Sequence, residues 1–283
     1  MIVVQRTGAQ VLVQDDGRPG FANIGVSPSG AADRTSWALA NHLIGNRTGG
    51  PAFEILLGGL QIRWTGAHAL WIALTGAPAA LSVNRLARPN DAAVLIHPGD
   101  VVDVGIPTVG LRSYLAVRGG LRVATTLGSA SSDVLSGLGP PPVAIGDQLP
   151  VGRAQDIPPN TPGRRLDLSP NVAIEISPGP RLDWFSADAL DSLTATRWTV
   201  DMDSNRIATR LDGPPLARRR EGELPSEAIL RGAIQIPPNG RPVIFGSDHP
   251  TTGGYPVIAV ATPESVDRLA QARPGAALTL RLA

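Results

Sequence analysis

Two residue types are missing altogether: there is no cysteine, and all 25 positions counted as lysine or arginine are arginine. Without cysteine there can be no disulfide, no thiol nucleophile and no thiolate metal site. Without lysine the chain cannot carry biotin on its own side chain or form a Schiff base with pyridoxal phosphate. It also lacks the lysine of a Walker A loop and any lysine base of an amidase. ATP chemistry must therefore use arginines and backbone amides, or take place on another polypeptide.

Charge is also sparse. Charged residues make up 17% of the chain and the net charge is +1, which points to no nucleic-acid or membrane partner. The densest basic run, Arg218-Arg219-Arg220, neighbours Glu221 and Glu223 and reads as a solvated turn. No stretch reaches the ~20 apolar residues of a transmembrane helix. Met1-Ile2-Val3-Val4-Gln5-Arg6 has no signal-peptide pattern, so a cytoplasmic protein is expected. The histidines His42, His68, His97 and His249 are too scattered for a zinc site. The G-x-S-x-G pattern fails after Gly25-Val26-Ser27-Pro28-Ser29, and G-x-G-x-x-G between a strand and a helix is absent. Ser247-Asp248-His249 are residue types of a catalytic triad, but neighbours on a strand face opposite ways and cannot form one relay.

What is abundant is Gly (32) and Pro (27), spread along the whole chain among short apolar runs. That pattern predicts many short strands and tight turns, a mostly β architecture with two β-rich subdomains. The expected layout is an N-terminal subdomain over 1–145, a Pro/Gly-rich connection over 146–170 and a C-terminal subdomain over 171–283. Three short helices are expected: Asp33 to Ile44, Ala187–Leu193 capped by Ser186, and Pro263–Gln271 capped by Thr262. Ile229–Ile236 reads as one strand, and Pro238-Asn239-Gly240 after it reads as a hairpin turn.

Four polar stretches carry chemistry. Gln14-Asp15-Asp16-Gly17-Arg18 opens a Gly-broken loop that runs through Ser29 into the first helix. Such a loop presents backbone N–H groups to an anion, with Arg18 available to a carboxylate. Arg118, before Gly119-Gly120, ends a strand where it can meet an anion. Asn205-Arg206 sits on a turn, which predicts an exposed Arg206. The segment from Gln235 to Ser247-Asp248-His249-Pro250-Thr251-Thr252-Gly253-Gly254-Tyr255 fits a polar pocket. Asp248 is its acid or base candidate and His249 an alternative proton carrier.

In order, the stretches QDDGRPGFANIGVSPSGAAD, YLAVRGGL, LGSASS, SNRIATRLDG, GAIQIPPNGRP and SDHPTTGGYPVIA span nearly the full length. Together they resemble the allophanate hydrolase subunit 2 family, also known as the KipI antagonist, 5-oxoprolinase C-subunit or biotin-dependent carboxyltransferase family. The resemblance implies a cyclophilin-like β-barrel. It also implies half of a carboxyltransferase-type active site, completed by a sister B-type component (KipI-like, allophanate hydrolase subunit 1). With an A-type component, such a set uses ATP to open 5-oxo-L-proline to L-glutamate. Asp248 and Asp15 are then the catalytic candidates. Gln14, Arg18, Ser29, Arg118, Asn205, Arg206, Gln235, Thr251, Thr252, Gly253 and Tyr255 are the substrate-binding candidates. Two other implied roles are a carboxyltransferase half of a urea carboxylase, with biotin on a separate carrier, and a non-catalytic regulator of a KipI-like partner. The chain departs from the family at Ala130, Ser132, Gly139-Pro140-Pro141-Pro142 and Ala208, which bears on the substrate.

Overall fold

The structure is a computed structural model describing residues 1–47, 49–154, 168–220, 222 and 224–283. Most of the expected Pro/Gly-rich connection lies outside the described residues. By internal contacts the chain divides into two units. Unit 1 comprises Met1–Arg18, Ser29–Asp133 and Gly137–Asp167; unit 2 comprises Pro19–Pro28, Val134–Ser136 and Leu168–Ala283. Two short stretches of the N-terminal half thus group with the C-terminal barrel.

Unit 1 contains β1 (Ile2–Arg6), β2 (Gln10–Gln14), helix α1 (Arg34–Leu43), β3 (Ala52–Leu56), β4 (Gln61–Trp64) and β5 (Leu70–Gly76). It continues with β6 (Leu81–Val83), β7 (Leu86–Arg88), β8 (Val94–Ile96), β9 (Val101–Val104), β10 (Arg112–Val117) and β11 (Gln148–Leu149). They form a six-stranded sheet, β11-β1-β4-β9-β6-β7, and a five-stranded sheet, β2-β3-β10-β5-β8. Strand alternation explains both cores. Phe53, Ile55, Ile72, Leu74, Leu115 and Val117 pack with Ile2, Val4, Ile62 and Val102 of the other sheet. The intervening Ala52, Ala73, Tyr114 and Ala116 pack against Trp37, Ala40 and Leu43 of α1. Covered on both faces, β10 is buried at all six positions. α1 starts where Asp33 accepts from the Ser36 N–H at 2.9 Å, a side-chain N-cap. β11 falls in the proline-rich stretch and sits at a sheet edge, the place such a sequence tolerates a strand.

Unit 2 contains β12 (Asn171–Pro178), helix α2 (Ala189–Ala195), β13 (Trp198–Val200), β14 (Ala208–Asp212), β15 (Glu227–Ala228) and β16 (Ala233–Gln235). Then follow β17 (Val243–Phe245), β18 (Thr252–Gly253), β19 (Val257–Ala261), helix α3 (Pro263–Leu269) and β20 (Ala277–Leu282). Seven strands close a barrel in the order β12-β19-β16-β17-β14-β13-β20, and β15 pairs with β18 alone. Closure comes from a parallel pairing of β12 with β20 from Asn171↔Ala277 to Ile176↔Leu282. Closing the sheet removes exposed edges, which suits a chain rich in short strands. Ile174, Ile176, Trp198, Leu211, Ile234, Ile244, Ile258 and Leu278 fill the interior. The mostly β, barrel-containing architecture is the one expected.

Local details differ from expectation in two places. α2 begins at Ala189 with Asp188 as N-cap and without a side-chain cap bond, so Ser186 does not cap it. The apolar stretch from Ile229 to Ile236 is not one strand, because Gly232 at φ +91° turns the chain between β15 and β16. The Pro238-Asn239-Gly240 turn does join β16 to β17, and Gly240 at φ +73° donates to the Pro237 carbonyl at 2.9 Å.

Candidate functional site

In unit 1 the end of β2 meets the 126–139 segment. Asp15 Oδ1 accepts from Ser129 Oγ at 2.6 Å, from Ser131 Oγ and from Gly17 N at 2.8 Å. Its Oδ2 accepts from Ala130 N at 2.6 Å. Four donors from its own chain therefore occupy the carboxylate. Because the residue-130 contact is to backbone, it needs no particular side chain there, and Ala130 packs into the core instead. Gln14 Nε2 donates to the Ser132 carbonyl at 2.7 Å, and Ser29 Oγ to the same carbonyl at 3.3 Å. Gly139 must be glycine: at φ +87° a Cβ would lie 2.0 Å from the Ser131 carbonyl oxygen.

Arg18 is the outlier of this cluster. It is 1% exposed. Nη2 donates to the Ser131 carbonyl and Nε to the Thr126 carbonyl at 3.4 Å. Nη1 is buried without a hydrogen-bond partner, as is Gln14 Oε1. Among the described residues no carboxylate pairs with Arg18. A buried guanidinium lacking a counter-ion is costly, and it is satisfied when an anionic group arrives. Arg118 stands elsewhere in unit 1, half-buried just past β10, with its N–H on the Trp71 carbonyl at 2.8 Å.

In unit 2 the arrangement corrects one expectation. Arg206 is not an exposed turn residue; it is 3% exposed and forks onto Asp248. Nε reaches Oδ2 and Nη2 reaches Oδ1, both at 2.8 Å. Asp248, 0% exposed, also accepts from Val134 N at 3.0 Å. The physical reason is long-range: a bidentate partner 42 residues away outweighs solvation of the turn. Asn205 does make the expected tight turn, its Oδ1 accepting from Ile207 N at 2.8 Å. Ser247-Asp248-His249 form a buried turn rather than a strand, and His249 Nδ1 lies 2.8 Å from the Pro250 carbonyl.

The loop through β18 is held by Gln235, whose Nε2 donates to the Tyr255 carbonyl at 2.9 Å. Gly253 allows this close approach, since a Cβ there would sit 2.9 Å from Gln235 Nε2. Thr252 is exposed, while Thr251 and Tyr255 are half-buried. The basic run is also corrected: Arg218 lies over the rings of Trp184 and Tyr255, at 6.0 and 5.9 Å. Aromatic faces attract a guanidinium, so this arginine does not simply point to solvent.

Sequence reasoning missed a buried network beneath α1. Tyr114 Oη donates to Glu54 Oε2 at 2.8 Å and accepts from Asp33 N at 2.8 Å, while Ala32 N donates to Glu54 Oε2 at 2.9 Å. Burial, then the nearby Glu54 and Asp33, hold the Tyr114 phenol well above its ordinary pKa. The signal was a lone carboxylate in the apolar strand Ala52–Leu56, directly across from Tyr114. Among the described residues there is no cluster of metal-binding side chains.

The family description "Carboxyltransferase domain, subdomain A and B" matches residues 24–282. The chain belongs to this family. It is 35% identical to the C subunit of the Escherichia coli 5-oxoprolinase over 274 residues, 96% of this chain and 87% of that protein. It is 33% identical to a urea amidolyase of Lachancea kluyveri, covering 96% of this chain but 16% of that one. The solved structure of TTHA0988 superposes with a TM-score of 0.89 at 31% identity, covering 99% of this chain and 55% of that longer chain. No helix among the described residues is long and apolar enough to cross a membrane.

Proposed function

We propose that this chain is the C subunit of an ATP-dependent 5-oxoprolinase, a hydrolase assembly that opens 5-oxo-L-proline to L-glutamate. The observation that carries the reading is its 35% identity to the E. coli 5-oxoprolinase C subunit across 87% of that protein. The chain supplies part of the active site, and a KipI-like B-type component and an A-type component supply the rest. ATP is a substrate of the whole assembly and activates the lactam carbonyl by phosphorylation before water opens the C–N bond. In this reading Arg18 takes the substrate carboxylate. The Asp15-ordered loop presents Arg18 within unit 1, and the Arg206–Asp248 pair orders a loop of unit 2. The two carboxylates act as positioning residues, because their oxygens are already committed to donors of their own chain.

A second reading has a specific observation in its favour. Identity to urea amidolyase also covers 96% of this chain. In that case the chain is a carboxyltransferase half working with biotin on a separate carrier, since it has no lysine of its own. Arg18 serves the first reading through the carboxylate of 5-oxoproline and the second through the carboxylate being transferred, so turnover has to separate them. The test is to co-purify the chain with its two partner proteins and measure ADP release on 5-oxoproline and on urea. Release on 5-oxoproline alone supports the proposal. Release on urea, dependent on a biotinylated carrier, overturns it.

A further inference from the structure

Unit 1 has a small cavity at the C-terminal end of α1, lined by Asn46, Arg47, Gly50, Gly119, Gly120 and Arg153 among others. It encloses about 120 Å³. That is about four water volumes at ~30 Å³ each, room for the four oxygens of one tetrahedral oxyanion. The Asp15–Arg18 loop lies toward the other end of α1, where Ala31 N donates to the Asp15 carbonyl at 3.0 Å. The 10 residues of α1 separate the two places by about 15 Å, at ~1.5 Å rise per residue.

Among the described residues the lining holds two guanidiniums, no carboxylate and no apolar side chain. Arg47 and Arg153 are exposed, and neither has an ion-pair partner among the described residues. Guanidinium forks match the geometry of phosphate and carboxylate oxygens. The remaining wall is rigid. Asn46 Nδ2 donates to Asn41 Oδ1 and to the Val117 carbonyl, both at 2.8 Å, and its Oδ1 accepts from Gly119 N at 2.8 Å. Gly119, at φ +95°, lets the Gly152 carbonyl approach so closely that a Cβ would lie 2.2 Å from it. Gly152 N in turn donates to the Gly120 carbonyl at 2.9 Å, which brings Arg153 to the rim. The RGG stretch just past β10 thus contributes its glycines, and not Arg118, to the lining.

The negative end of the α1 dipole opposes an anion here, but its partial charge is about half an elementary charge against two full positive charges. Its last carbonyls are moreover already taken, by Gly45 N on His42 O at 3.1 Å and Asn46 N on Asn41 O at 3.0 Å.

We propose that the Arg47–Arg153 cavity binds a phosphate-sized oxyanion. The site goes beyond the proposed function and stands whether or not 5-oxoproline is the substrate. The test is titration of the full chain with inorganic phosphate, by calorimetry and phosphorus NMR, in a chloride background of matched ionic strength. Saturable binding is expected, weakened about tenfold by Arg47→Gln or Arg153→Gln and abolished in the double variant. Arg63→Gln, an exposed arginine on β4, should bind as wild type does. Circular dichroism and melting curves confirm that each variant is folded. Displacement of the phosphate by ATP would identify a nucleotide as its source, and retention would identify the free ion; both support the site. Phosphate that does not saturate in the wild type, or binds equally to the folded double variant, overturns it.

Discussion

Replacing Asp248 by Asn should destabilise the barrel unit by about 3–5 kcal/mol, the cost of stranding a buried charge by removing its partner. The Arg206 and Asp248 side chains are 1% and 0% exposed and joined by two 2.8 Å bonds. Asn keeps the shape and one acceptor for Val134 N, so the change isolates the charge. At ~2–4 °C per kcal/mol for a domain of this size, the melting transition should fall by about 10 °C. Urea unfolding followed by tryptophan emission reads the loss, and hydrogen exchange at β14 and β17 assigns it to the barrel. Arg206→Met alone should cost a similar amount. The double variant should cost less than the sum of the singles by at least about 2 kcal/mol, the mark of a coupled pair. An Asp248→Asn chain as stable as wild type, in an assembly that has lost all turnover, would refute this and make Asp248 a catalytic acid or base.

Arg18→Met should change the stability of the free chain by less than about 1 kcal/mol, because it removes a buried charge that has no counter-ion. The same change should raise KM for 5-oxoproline in the assembly at least tenfold, read by steady-state kinetics. Tyr114→Phe should cost about 1–2 kcal/mol near neutral pH through its lost bonds to Glu54 and Asp33 N. Because the folded phenol holds its proton more tightly than the unfolded one, its contribution is fully present below pH about 10 and is lost as pH rises beyond that. Urea midpoints against pH should therefore fall above pH 10 in the wild type and be flatter there in Tyr114→Phe. Gly253→Ala should cost about 1–3 kcal/mol by overpacking, since the new Cβ meets Gln235 Nε2 at 2.9 Å and Ile229 Cδ1 at 3.1 Å. Its unfolding midpoint checks this.

The β-rich fold was legible because it is written locally, in short apolar runs broken by turn residues. α1 was legible through the helical spacing of Trp37, Ala40 and Ile44 before Gly45, and α3 through Thr262, whose side chain does cap the helix. The Asn205 turn was readable for the same reason. The environment of Arg206 was not, because its partner lies on a turn that only the pairing of β14 with β17 brings near. The Asp15 cluster shows the same limit. Its loop was recognisable, but three of the four donors that fill the carboxylate come from residues 114 to 116 positions later in the chain. Glu54 and Tyr114 were hidden until strand register placed them opposite each other. The grouping of Pro19–Pro28 and Val134–Ser136 with the barrel leaves no trace in local composition.

The most direct measurement is glutamate production from 5-oxo-L-proline by the two purified partner proteins, with ATP present, before and after this chain is added. Glutamate should form in step with ADP only once the chain is present, and adding the Arg18→Met chain should restore little of it at low substrate. Equal glutamate formation with and without the chain would contradict the account.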